Sequence, residues 1–220
     1  MEIKKNNDAT LFKQGMVQAC TYLRLVLREQ LDRRFAIALL LCGDELTVLL
    51  NDRSGLVYTK TPIKIHENPL DFIQVIAAVA TLAPWQIGWD PQMMVYDPKS
   101  RQSKASYEIG QDAGFFNLNL AKTHWEIDIP RPLKEGGGRE KVLTLRSLSI
   151  SRSEVMCGRA TLVWEVIRKE ELDIDDSEKK VRLFSVAIIF FYSFMIDFRT
   201  QALLASVSTN INSRLIKLHV

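Results

Sequence analysis

Glu2 and Lys4 stand two residues apart near the start of the chain, and on an extended strand that alternation puts both side chains on one face. Gln18 and Tyr22 lie four residues apart, one helical turn, in the segment that follows. Other residue types that could do chemistry are less well placed. His66, His124 and His219 have no carboxylate or cysteine at ligand spacing, so each reads as a loop or surface histidine and not as a ligand or base. Cys20, Cys42 and Cys157 are widely separated, which excludes a zinc spacing and a disulfide framework and fits a reducing compartment. Gly136, Gly137 and Gly138 lack the Gly-Lys-Ser/Thr of a phosphate-cradling loop and read as a flexible linker. Asp52 and Arg53 sit in a tight turn, where an aspartate bonds its own backbone. Trp85 and Trp89 flank a turn, where their large apolar areas are expected to close a core.

The elements that would position these residues follow from periodicity. Between Thr10 and Gln30, Phe12, Met16, Ala19, Leu23 and Val26 recur at spacings of four and three, which predicts a helix burying one stripe. Phe35 to Leu41 is a short continuous apolar run before Gly43, as expected of a central strand covered on both faces. Leu46–Leu50 and Leu56–Tyr58 are β-prone runs around Asn51 to Gly55, a hairpin pattern. Asn68 can cap a helix that starts at Pro69, buries Phe72, Ile76, Val79 and Ala83, and stops at Pro84. From Trp85 to Glu140 the pattern breaks into short strands, among them Met93–Tyr96 and His124–Ile129. Val142–Ser149 and Glu154–Ile167 then read as paired strands, followed by an acidic stretch from Glu170 to Lys180.

Composition narrows the function classes. The 220 residues are 47% hydrophobic and 25% charged, ordinary values for a globular chain with one main core. The net charge of +3 arises from scattered Lys and Arg with no basic block, so nucleic acid binding is not indicated. The N-terminus carries charge without an apolar run, which excludes a conventional secretory signal and leaves cytoplasm or nucleus as the expected location. Leu183 to Ile196 is uncharged and apolar. As a helix it would reach only about 21 Å, short of the ~30 Å hydrocarbon layer, and no membrane span is expected.

Two passages resemble the fungal-type protein kinase family. The first runs from Tyr22 to Gly55 and contains Asp-Arg-Arg-Phe, Leu-Cys-Gly and Asn-Asp-Arg-Ser-Gly; the second runs from Ile65 to Trp89 and contains Ile-His-Glu-Asn-Pro, Asp-Phe-Ile and Ile-Gly-Trp-Asp. The resemblance extends from about Glu2 to about Val166 and not past Glu170. It implies a sheet-and-helix domain ahead of a divergent kinase domain, with Ser151 to Val166 as the first hairpin of the kinase lobe. Gly158, Arg159 and Thr161 would then lie at the turn covering nucleotide phosphates, although Cys157 to Thr161 also reads as a plain β-turn. Phosphoryl transfer further needs a strand lysine, a catalytic-loop Asp and a metal-binding Asp. Those motifs do not occur downstream, so the chain is expected to be truncated before the catalytic core and inactive. ATP and Mg²⁺ are implied for the full-length family, and no cofactor is expected for this chain.

Glu2-Ile3-Lys4 followed by Gln18 and Tyr22 also resembles the restriction-endonuclease-like fold. There a Glu-x-Lys strand and a Gln-x-x-x-Tyr helix flank a metal site, which implies Glu2 as a Mg²⁺ ligand and Lys4 as the group orienting water. The further carboxylate such a site takes from an upstream strand has no counterpart here, so an inert remnant is expected.

The fold expected is α/β (α+β): a mixed sheet with two main helices over residues 1–135, resembling a truncated restriction-endonuclease-like domain, then a partial kinase-lobe hairpin over 140–169. Residues 170–220 form a tail of uncertain status, for which intron read-through after Lys180 is one explanation. A first strand at Glu2 would leave an open sheet edge and hence a route to self-association. The function expected is that of a fungal-type protein kinase domain without transfer activity of its own; a nuclease-like remnant and a non-catalytic binding module are the alternatives.

Overall fold

The computed structural model describes residues 1–52, 55–113, 123–131, 137–149, 163–172 and 217–219. They form a mixed α+β fold in two compact units, the first built on Met1–Trp89 and the second on the described residues from Asp90 to Leu172.

In the first unit, α1 spans Ala9–Glu29. The Asp8 carboxylate accepts a hydrogen bond from the Leu11 amide at 2.8 Å, which satisfies one of the donors left open at a helix start. Ala19 and Leu23 of the expected stripe are buried together with Leu27, while Phe12, Met16 and Val26 are partly buried beside them. β2 (Phe35–Cys42) and β3 (Glu45–Asp52) pair antiparallel along their full lengths through the turn Gly43-Asp44, where Gly43 supplies a φ of 60°. β4 (Leu56–Tyr58) continues the meander. Its turn is held by the Asp52 carboxylate, which accepts from the Gly55 amide at 3.0 Å, as expected of an Asp in a tight turn.

β1 (Glu2–Lys4) lies parallel to β2 on its other side, so β2 is an inner strand with β1 at the edge of the sheet order β1-β2-β3-β4-β11. β5 (Ile63–Lys64) pairs with β3, and β11 (Lys217–His219) pairs antiparallel with β4. Strand alternation splits the apolar run of β2 between two faces. Ala36, Leu40 and Cys42 join Leu49 of β3 beneath α1, and Leu39 joins Leu46 and Ile63 beneath α2 (Pro69–Thr81). The continuous apolar run is therefore the mark of a strand with a helix on each side.

Helix α2 begins at Pro69 as expected, but the Asn68 side chain at its N-cap makes no capping hydrogen bond. Its sheet-facing residues are Phe72, Val75 and Ile76. The longer stripe through Val79 and Ala83 is not what packs: Val79 is exposed, and Ala83 lies beyond the last helical turn in the lead-in to the short 3₁₀ turn Pro84–Ile87.

After that turn, Gly88 adopts φ 111°, and a Cβ there would lie 1.9 Å from the Phe35 carbonyl oxygen. This close approach lets the Arg34 amide donate to the Gly88 carbonyl at 2.8 Å, while the Arg33 guanidinium donates to the Ile87 carbonyl at 2.8 Å. The same guanidinium lies over the Trp89 ring at 4.2 Å, and its burial lowers the Arg33 pKa. Trp89 thus closes the core as expected, whereas Trp85 is half exposed.

The second unit is a five-stranded antiparallel sheet in the order β10-β9-β8-β6-β7, made of β6 (Met93–Asp97), β7 (Gln102–Lys104), β8 (His124–Pro130), β9 (Arg139–Ser149) and β10 (Val163–Arg168). Helix α3 spans Ser106–Ala113. Trp125, Trp164, Val142 and Val166 are almost wholly buried. Among the described residues no helix is long and apolar enough to cross a membrane; Leu183 to Ile196 lies outside them.

Candidate functional site

The residues singled out by spacing at the N-terminus are brought together by β1, β2 and α1. In the β1–β2 register Glu2 lies beside Leu40 and Lys4 beside Cys42, so the two charged side chains share the face that carries α1. The end of β1 is anchored where the Gly43 amide donates to the Lys4 carbonyl at 3.0 Å.

Gly15 then decides how near the helix comes. A Cβ at this buried position would meet Leu40 Cδ1 at 2.6 Å and Lys4 Cε at 3.5 Å, so a larger residue would require the buried Leu40 side chain to shift. One helical turn further on, Gln18 Oε1 accepts a hydrogen bond from Lys4 Nζ. The same ammonium pairs with Glu2 Oε1 at 3.1 Å, both side chains being under one-fifth exposed. Three of the four residues therefore form one polar cluster. Tyr22, a turn beyond Gln18, is 52% exposed and stands apart from it.

Beneath the cluster lies the buried Cys42 thiol. Burial raises its pKa, against the pull of the Lys4 charge, which keeps it a protonated and inert neighbour at neutral pH. Chemically the cluster is an ion pair completed by a glutamine. A divalent cation needs several oxygen ligands, and among the described residues no group of three His, Cys, Asp or Glu side chains could hold one.

A second polar assembly occupies the other unit. Glu126 on β8 is 3% exposed and pairs with Lys141 at 2.8 Å and with Lys169, while the Ser103 hydroxyl donates to it. Burial pushes the Glu126 pKa up, but hydrogen bonds from Lys141, Lys169 and Ser103 outweigh it and hold the carboxyl at about 2. Glu140 is likewise flanked, by Arg168 at 3.0 Å and Arg131 at 3.4 Å. No residue of these assemblies was singled out by sequence, because the partners are far apart in the chain, Lys169 just past the end of β10, and only the pairing of the strands brings them together.

His124 Nδ1 is 2.7 Å from the Thr144 carbonyl and, as the donor, is satisfied within the sheet; His66 is an exposed turn residue. Gly158, Arg159 and Thr161 lie outside the described residues, as do Gly136 and Cys157.

A profile of the family described as fungal protein kinase matches residues 1–180, a span that runs past Glu170. No curated protein and no solved structure matches the chain significantly. One motif from each passage that resembled the family, Asp32-Arg33-Arg34-Phe35 and Ile87-Gly88-Trp89-Asp90, meets the other in the Gly88 contact and the Arg33–Trp89 stack. With most of its length matched by the family profile, the chain belongs to the fungal protein kinase family.

Proposed function

We propose that these 220 residues are a non-catalytic part of a fungal-type protein kinase and transfer no phosphate by themselves. The observation that carries this reading is in the sequence, which lacks the catalytic-loop and metal-binding aspartate motifs that phosphoryl transfer needs. A kinase of this kind uses ATP with Mg²⁺, held by a strand lysine and aspartates. The chain contains no His-Arg-Asp and no Asp-Phe-Gly sequence. In this reading β9 and β10 begin the kinase lobe, residues 1–135 precede it and take in the first unit together with β6 to β8 of the second, and Gly158, Arg159 and Thr161 would belong to the nucleotide-loop remnant. The test is titration of the purified chain with a fluorescent ATP analogue and Mg²⁺. No saturable binding is expected; binding abolished by Gly158→Trp would overturn the reading.

One observation favours a second reading: Glu2, Lys4 and Gln18 do assemble, as a nuclease-like remnant requires. Metal-dependent cleavage of plasmid DNA that disappears in Lys4→Ala would establish that activity. The ion pair without a second carboxylate predicts none.

A further inference from the structure

We draw no further inference here: the strongest candidate, the exposed apolar face of helix α2 formed by Leu70, Ile73, Ala77 and Ala80, carries none, because nothing in the structure shows what covers it.

Discussion

Replacing Gly88 by alanine should be among the most damaging single-atom-group additions to the first unit. The new Cβ would sit 1.9 Å from the Phe35 carbonyl oxygen and 2.9 Å from its carbonyl carbon. Both are backbone atoms of β2, so no rotamer change can relieve the overlap and the loop must withdraw. Withdrawal breaks the 2.8 Å bond from the Arg34 amide and the 2.8 Å bond from Arg33 to Ile87, and it unstacks the guanidinium from Trp89. The φ of 111° adds strain for any residue with a side chain. Strain or overlap costs about 1–3 kcal/mol and the lost polar contacts about 1–2 kcal/mol more, so the expected loss is about 2–5 kcal/mol. Urea unfolding followed by tryptophan fluorescence reads it directly, with Gly55→Ala as the control, since nothing lies within 4 Å of a Cβ at Gly55. The control should change stability by under about 1 kcal/mol. A Gly88→Ala loss no larger than that of the control would refute the geometry of this contact.

Gly15→Ala should destabilise by about 0–2 kcal/mol in the same assay, because the methyl group displaces the buried Leu40 side chain while alanine recovers about 1 kcal/mol of helix propensity over glycine. Asn51 is fully buried with neither side-chain amide atom hydrogen-bonded, so Asn51→Leu should raise the urea midpoint, by about 1–2 kcal/mol in stability. The Glu126 carboxyl is held at about 2, below its ordinary 4.5, so between those values the unfolded chain binds more protons than the folded one. Its stabilising effect is complete above about pH 4.5 and is lost as pH falls toward 2. Screening of the partly exposed lysines limits it to about 1–2 kcal/mol, and Glu126→Gln should flatten that part of a stability–pH profile.

What the sequence made legible was local. Phe12 to Leu27 repeat at helical spacing, and Asp52 next to a glycine turn announces its own hydrogen bond, so α1 and the β3–β4 hairpin could be read from neighbours along the chain. The polar cluster was legible for a similar reason: alternation fixes Glu2 and Lys4 on one face, and helical rise fixes where Gln18 can reach. The residues that decide tertiary approach were not. Gly15 resembles a weak spot in a helix until Leu40 is placed beneath it, and Gly88 resembles a loop glycine until the Phe35 carbonyl is placed against it. Glu126, Lys141 and Lys169 are separated by at least fifteen residues and become neighbours only through the pairing of the strands, which no local pattern encodes. The second apolar face of α2 was present in the sequence but was masked by its stripe toward the sheet, because a helix apolar all round shows little periodicity.

The central claim is that these residues belong to a fungal protein kinase and do not themselves transfer phosphate. Incubating the purified chain with Mg²⁺ and ATP labelled on its γ-phosphate, with casein as acceptor, tests it most directly. The account predicts no label on casein or on the chain above a blank without protein; labelling that disappears in Gly158→Trp would contradict it.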